Sequence, residues 1–330
     1  MRTLDEAPAQ LIEGGRPRFG SFRGGLPRLD FGDVPRGRVW RLTHGKRWSY
    51  AMVADDAVLL GSAVVSVGYA ATALVFVLDR RAGKMLVDHS VMGPSSAITF
   101  TDEGDGRRAA SFRQGRTRVR IADDGVTIDL PPGGGSLLPG YARFVASGPV
   151  APPIGAVVPI EGGFANATEK RLLLGEGEVV AAGRRFVLSD PICGLDHTAG
   201  FLARHTAWRW AFGAGRARSG ERVAFNLVQG FVGEPECGVW IDGALFPCEE
   251  AAFSYDVGAP LEPWRVRSRC GSVDVTFAPA AVHAEHKDLL LVRSRFIQPA
   301  GAFSGTLTAG GRVVEVSDLA GVTEHQDVVW

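Results

Sequence analysis

Alternating hydrophobic and polar residues run through most of this chain, and they predict strands rather than helices. Residues 116–121 alternate strictly, and Gly125–Leu130 follows across an Asp-Asp-Gly turn, which is typical of a β-hairpin. Further short runs of strand-forming residues are found at 239–241, 272–277, 289–296 and 304–308. Helical periodicity with capping residues is hard to find, and residues 2–12 are expected to form at most one short helix. Strands at such short spacing predict an all-β fold, either a barrel or a sandwich.

The uncharged segment 57–78 is long enough to span a bilayer and therefore needs a separate test. It is interrupted by small and polar residues, namely Gly61, Ser62, Ser66, Gly68 and Thr72. Its valine and tyrosine content also favours strands, so we expect two consecutive buried strands. The amino terminus carries acidic residues and lacks the apolar centre of a signal peptide. We therefore expect a soluble, cytoplasmic protein without integral membrane insertion.

A weak internal repetition suggests how the chain is divided. An aromatic opening at residues 46–50 leads to Asp79, and a comparable run leads from residues 208–212 to Asp242. Each run covers roughly 30 residues, as expected of a repeated supersecondary unit. A stretch rich in proline and glycine, residues 131–159, lies between the two runs. We therefore expect two similar β-domains, at residues 1–160 and 161–330.

Composition narrows the classes of partner and cofactor. The chain has 36 basic and 36 acidic residues, so its net charge does not favour nucleic acid or anionic lipid as a partner. Its four cysteines are widely spaced and form no CxxC pair, which argues against zinc and favours free thiols in a reducing cytoplasm. The sequence contains neither a nucleotide-binding fingerprint nor a Ser-His-Asp nucleophile motif. We expect no metal and no cofactor.

The strongest chemical signal is the segment 194–200, Gly-Leu-Asp-His-Thr-Ala-Gly. Asp196 and His197 are adjacent in an apolar and aromatic neighbourhood, and His205, Trp208 and Trp210 follow. Burying unpaired polar groups is costly, so this pattern indicates either a satisfied structural network or proton chemistry. Successive strand residues point to opposite faces, so Asp196 and His197 can share a cavity only across a bulge or a turn. Trp208 and Trp210 share a face of any strand that contains them.

Several sequence blocks together resemble one bacterial family. The blocks are RWSY from Arg47, GYAA from Gly68, LDHTAGF from Leu195, WRWAF from Trp208, AFNL from Ala224, WIDG from Trp240, PW from Pro263, DVTFAP from Asp274 and FSGTL from Phe303, closed by Glu324 and Trp330. Over nearly its whole length the chain is similar to the family catalogued as domain of unknown function number 2804. That family in turn resembles the carotenoid hydratases (hydroxyneurosporene synthases) and the AttH-like proteins. The resemblance implies two lipocalin-like β-barrels packed together.

The resemblance also implies a chemistry for the Asp-His motif. In the hydratases the acid of this motif is implied to protonate an isoprenoid double bond, ahead of a Trp-x-Trp pair. On this chain Asp196 corresponds to that acid, and His197 or His205 would hold its proton or position a water molecule. Thr198 and Ala199 stand where the hydratases carry Asn and Trp. Isomerisation and cyclisation are therefore considered beside hydration.

We expect the ligand to be a hydrophobic small molecule, such as an isoprenoid, a lipid or a polyketide-like compound. The residues expected to line its site are Trp208, Trp210, Tyr69, Trp48, Asn226 and Glu324. Three functions remain open on the sequence: a cofactor-free acid–base enzyme, a carrier with the same pocket and no turnover, and a structural protein with filled barrels. The purely structural interpretation of Asp196 is a turn carboxylate that accepts backbone N–H bonds.

One further cluster resembles a metal site on paper. His283, Glu285 and His286 lie close together in sequence, but a strand would point alternate members to opposite faces. No third ligand for one face is evident. We expect a solvated turn there.

Overall fold

The structure, a computed structural model, describes residues 2–32, 34–103, 107–288 and 292–330. The strands of the first part of the chain are β1 (Asp5–Glu6), β2 (Ile12–Glu13), β3 (Arg16–Pro17), β4 (Gly20–Arg23), β5 (Gly45–Ala54), β6 (Val58–Ser66), β7 (Ala70–Asp79), β8 (Lys84–Pro94), β9 (Ile98–Asp102), β10 (Arg108–Gln114), β11 (Thr117–Ala122), β12 (Gly125–Leu130), β13 (Gly140–Pro149), β14 (Ile154–Pro159), β15 (Ala165–Ala181), β16 (Arg184–Val187) and β17 (Ile192–Phe201). Those of the second part are β18 (His205–Arg216), β19 (Arg222–Gln229), β20 (Gly238–Ile241), β21 (Ala244–Pro247), β22 (Ala251–Ser254), β23 (Trp264–Ser268), β24 (Val273–Asp288), β25 (Arg293–Ala309) and β26 (Arg312–Val329). The helical elements are α1 (Arg38–His44) and two 3₁₀ turns, Ser95–Ala97 and Glu234–Glu236.

The strands form two large sheets. The main path of the first sheet is β8-β7-β6-β5-β17-β15-β13-β12-β11-β10-β9, and the second sheet runs β21-β20-β19-β18-β26-β25-β24-β23-β22. One nearly closed barrel and one half-barrel result, which confirms the all-β, double-lipocalin-like fold class. No helix among the described residues is long and apolar enough to cross a membrane.

The alternation of the sequence is expressed directly in the first sheet. Phe112, Val119 and Ile121 point into its apolar interior, whereas Arg118, directly before Val119, is exposed. The uncharged segment 57–78 forms the two antiparallel strands β6 and β7, as predicted. The aromatic openings of the internal repetition begin two comparable units, since β5-β6-β7 and β18-β19-β20 are each three consecutive neighbouring strands.

Local expectations at three places were wrong or incomplete. The short helix α1 was not predicted, because its N-cap residue Gly37 supplies no capping side chain; residues 2–12 contain the strand β1 and the start of β2, within the expectation of at most one short helix. His283 lies in the strand β24 and is buried, so the expected solvated turn is wrong there. Of the expected strand 289–296, residues 289–291 lie outside the described residues, and β25 begins at Arg293.

The chain passes from the first sheet to the second after Phe201 and before His205. The strands β14 and β15, on either side of the expected division at 160/161, are hydrogen-bonded neighbours in the first sheet. We infer that a division into two units, drawn along the sheets, falls at residues 201–205.

The core positions the site because one face of the first sheet packs against the second sheet. On β5, Tyr50 and Met52 join the cluster shared with the second sheet, whereas Ala51 and Val53 face the interior of the first. The same alternation on β17 sends Cys193 and Leu195 into the first interior. Even-numbered positions of β5 and β17 therefore face the second sheet.

Candidate active site

A cavity of about 210 Å³ lies between the facing sheets. Its wall is mainly aliphatic and aromatic, with a small group of polar side chains from both sheets. The polar lining includes Tyr50, Thr168, Lys170, Asp196, Thr198, Glu236, Gln298 and Glu324. An apolar pocket with a few converging polar groups is the usual form of a small-molecule site.

Asp196 enters this cavity because of strand periodicity. It lies on β17 with the same parity as Gly194, which faces Phe212 of the second sheet, and Thr198, which also lines the cavity. His197 points to the other side, where its Nδ1 lies 2.8 Å from Ser49 Oγ and its Nε2 lies 3.3 Å from Asp123 Oδ1. The strand continues without a bulge in its pairing with β5, so the two neighbours cannot share the cavity.

The Asp196 carboxylate is held by donors on β15 and β17. Lys170 Nζ lies 2.6 Å from Asp196 Oδ2, and the hydroxyls of Thr168 and Thr198 donate to Asp196 Oδ1 at 3.2 and 3.0 Å. Lys170 Nζ also lies 2.9 Å from Glu236 Oε2. These contacts make Asp196 an acceptor in a buried ionic cluster rather than a carboxylate tied to backbone amides.

Burial and charge act in opposite directions on this cluster. Burial lowers the pKa of Lys170, but Asp196 and Glu236 outweigh it, so that pKa is raised above its ordinary value. Burial raises the pKa of Glu236, and the Asp196 charge adds to that effect while Lys170 opposes it. A single ammonium shared by two carboxylates gives this part of the wall a negative bias.

Glu324 is a second buried carboxyl group on the cavity wall. Its Oε1 accepts the indole N–H of Trp208 at 2.6 Å, and its Oε2 accepts from Gln298 Nε2 at 2.6 Å. Burial, with a further contribution from the Asp196 charge, raises the pKa of Glu324 to about 7, although both donors oppose the shift. A carboxyl group with such a pKa both gives and takes a proton near neutrality.

Aromatic rings complete the wall near Glu324. The indoles of Trp48 and Trp208 are nearly parallel at 6.0 Å between centroids, and Phe231 packs against both. The Trp210 ring meets Tyr50 edge-on at 5.2 Å. Ring faces of this kind attract a positive charge that develops beside them.

The other predicted residues are distributed as follows. Tyr69 lines the cavity and is partly exposed, whereas His205 is largely exposed and its Nε2 lies 3.1 Å from Asp327 Oδ1. Asn226 lies behind the wall, where it accepts the Trp210 N–H at 2.7 Å and donates to the Glu236 carbonyl at 2.9 Å. The structure thus brings Asp196, Trp208, Trp210, Trp48, Tyr69 and Glu324 together at the cavity, without the two histidines or Asn226.

Sequence reasoning missed Lys170, Glu236, Tyr50 and Gln298. A signal existed for Lys170, because Thr168 and Lys170 alternate with Glu169 and Arg171 directly before the apolar run 172–174 of the same strand. Glu169 and Arg171 pair with each other on the opposite face, and Glu169 also contacts Arg108. Glu236 and Gln298 gave no local signal, since their neighbours at the site come from distant parts of the chain.

Comparison with known proteins agrees with this architecture. A family model described as "Domain of unknown function (DUF2804)" matches residues 3–330. The chain belongs to the DUF2804 family. A search of curated proteins gives no match for this DUF2804 protein.

Solved structures supply a fold comparison for the DUF2804 chain. CghA is similar over 97% of this chain and 97% of its own, at 12% identity and a TM-score of 0.55. The structure of CghA with Sch210972 is similar over 98% of this chain and 97% of its own, at 12% identity and a TM-score of 0.53. Kievitone hydratase from Nectria haematococca is similar over 99% of this chain and 98% of its own, at 10% identity and a TM-score of 0.47. The similarity to CghA shows a shared fold, and fold alone does not fix an activity.

Proposed function

We propose that this DUF2804 protein is a cofactor-independent acid–base enzyme that acts on a hydrophobic small molecule held between its two sheets. The observation that carries the proposal is a titrating carboxyl group, Glu324, on the wall of a mainly apolar cavity. General acid–base catalysis is most effective when the pKa of the group lies near the working pH. The binding of Sch210972 by CghA, a protein of the same fold, supports a small-molecule ligand.

The proton-donor role that the sequence assigned to Asp196 passes to Glu324 in this proposal. Asp196 is engaged by an ammonium and two hydroxyl donors, so it acts as an ion-pair partner and hydrogen-bond acceptor rather than as the proton donor. Glu324 in its protonated form donates to an alkene or carbonyl group of the ligand. The positive charge that develops is stabilised by Asp196 and by the faces of Trp48 and Trp208. The acid-catalysed forms of hydration, isomerisation and cyclisation each begin with such a protonation.

Deuterium incorporation tests the proposal for any product that retains the added proton on carbon. The purified protein is incubated in deuterated water with acyclic isoprenoid alkenes and alcohols, and carbon-bound deuterium is measured by mass spectrometry. We expect incorporation by the wild type and its loss in Glu324→Gln. The matched control is Glu315→Gln, because Glu315 is an exposed carboxylate on the same strand.

A carrier with the same cavity is the second candidate, favoured by the continuous apolar lining. Compounds extracted from the purified protein and identified by mass spectrometry give the natural ligand. Binding of that compound without turnover, equal in wild type and Glu324→Gln, would establish the carrier and reject the enzyme. Turnover that is lost in Glu324→Gln with binding retained would establish the enzyme.

A further inference from the structure

Two polar atoms on the cavity wall have neither a hydrogen-bond nor an ion-pair partner among the described residues. They are the hydroxyl of Tyr50, on β5 of the first sheet, and Oε1 of Gln298, on β25 of the second. Tyr50 is 6% exposed and Gln298 is 0% exposed, and both line the cavity. Leaving buried polar atoms unpaired is costly, so such atoms in a binding cavity indicate where a ligand makes its polar contacts.

The hydrogen-bonding roles of the two atoms are fixed by their neighbours. Gln298 Nε2 donates to Glu324 Oε2, so its amide is oriented and Oε1 remains as an acceptor for the cavity. Burial, together with the charges of Glu324 and Asp196, raises the pKa of Tyr50 well above its ordinary value. Tyr50 therefore keeps its proton and offers a donor. Glu324 is a neighbour of both groups, since it bonds one and acts electrostatically on the other.

We propose that the ligand is an apolar molecule carrying a hydroxyl group, which accepts a hydrogen bond from Tyr50 and donates one to Gln298 Oε1. A hydroxyl group is both donor and acceptor, which matches one free donor and one free acceptor. Ketones, ethers and pure hydrocarbons each leave at least one of the two atoms unpaired. The inference rests on the proposed function, because it takes the cavity as the ligand site, and it places the polar end of the ligand beside Glu324.

A series of three probes separates the two contacts. Geraniol, geranyl methyl ether and the matching hydrocarbon 2,6-dimethyl-2,6-octadiene share a carbon skeleton and differ in their polar end. Binding is followed through the fluorescence of the tryptophans in the cavity wall, with calorimetry as a second readout. The ratio of ether to hydrocarbon affinity reports on Tyr50, since the ether still accepts. The ratio of alcohol to ether affinity reports on Gln298 Oε1, since the ether cannot donate.

For the wild type we expect each ratio to be about fivefold, the factor given by one neutral hydrogen bond. In Tyr50→Phe the ether-to-hydrocarbon ratio should fall to about one while the alcohol-to-ether ratio is retained. In Gln298→Met the alcohol-to-ether ratio should fall instead. Tyr141→Phe is the matched control, because the Tyr141 hydroxyl bonds Glu178 and is not among the cavity-lining residues.

Folding does not obscure this test. Tyr50→Phe removes a hydroxyl that has no partner among the described residues, so its thermal midpoint should equal that of the wild type or exceed it. Equal affinity of the wild type for all three probes overturns the inference and leaves an apolar binding site intact. Failure of all three probes to bind overturns the proposed function and the inference with it. Ratios that stay unchanged in Tyr50→Phe and Gln298→Met reject these two residues as the contacts.

Discussion

Trp208 donates its indole N–H to Glu324 Oε1 at 2.6 Å, from β18 to the adjacent strand β26. The register places Trp210, not Trp208, opposite Glu324, so this bond runs diagonally between the strands. It ties the orientation of an aromatic ring on the cavity wall to the position of a titrating carboxyl group. The hydrogen bond therefore links an aromatic ring to the carboxyl group, and the proposed chemistry depends on both.

The raised pKa of Glu324 makes the stability of the protein depend on pH. The ordinary pKa of 4.5 applies to the unfolded chain and a value of about 7 to the folded protein. The stabilisation from this group is therefore fully present below pH 4.5 and is lost as the pH rises through 7. Relative to Glu324→Gln, we expect the free energy of unfolding of the wild type to fall by about 2 kcal/mol between about pH 5.5 and about pH 8.

Urea denaturation at the two pH values measures this difference. Glu315→Gln, on the exposed face of the same strand, should show the same pH dependence as the wild type. If wild type and Glu324→Gln respond equally to pH, the titration of Glu324 does not lie in this range.

The Trp208 bond should help to set the pKa of Glu324. Trp208→Phe keeps an aromatic ring but removes a donor to the carboxylate, so the charged form loses support and the pKa rises by about one unit. The carbonyl band of the protonated carboxyl group, read by infrared difference spectroscopy against Glu324→Gln, gives the midpoint. Trp40→Phe, on α1, serves as the control for a lost indole. An unchanged midpoint in Trp208→Phe would show that the Trp208 hydrogen bond does not help to set the pKa of Glu324.

The sequence predicted the strands well, because alternation with period two reports directly which side chains face the core. Residues 116–121 carry that information locally, whereas the uncharged segment 57–78 was predicted from its composition. The helix α1 could not be found in this way, since it has no buried residue and no capping side chain. The change of sheet between Phe201 and His205 was equally hidden, because it depends on which strands pair across long distances.

The residues of the site were predictable from the sequence only where strand periodicity decides their orientation. The alternation argument correctly separated Asp196 from His197, since both lie on one regular strand. The partners of Asp196 were invisible to it. Lys170 lies directly opposite Asp196 on the neighbouring strand β15 of the same sheet, whereas Glu236 lies in a 3₁₀ turn between β19 and β20, and only the packing of the two sheets brings Glu236 to the Lys170 ammonium. Contacts between residues of different sheets cannot be predicted from the spacing of residues along the sequence.

Lys170 should be necessary for the stability of the cavity wall. Lys170→Met leaves the carboxylates of Asp196 and Glu236 buried without their cation, which should cost about 3–5 kcal/mol of unfolding free energy. The variant that also carries Asp196→Asn and Glu236→Gln should recover most of that loss, because the stranded charges are gone. Lys84→Met, at an exposed position of β8, is the control. Equal denaturation midpoints for the single and triple variants would contradict the view that uncompensated charge is the cause.

The contact between the sheets should tolerate no added volume at Gly194. A Cβ there would lie 2.2 Å from Phe212 Cζ, so Gly194→Ala should overpack the interface and destabilise the protein by about 1–3 kcal/mol. Phe212→Leu makes room for the methyl group, so the double variant should be more stable than the sum of the two single effects predicts. Gly37→Ala, where an added Cβ meets nothing within 4 Å, should cost only the N-cap preference for glycine over alanine on the short helix α1. Urea denaturation of all four variants and the wild type gives the coupling energy. A coupling of zero would mean that the sheets shift freely, and the cavity that they enclose would then not be held by this contact.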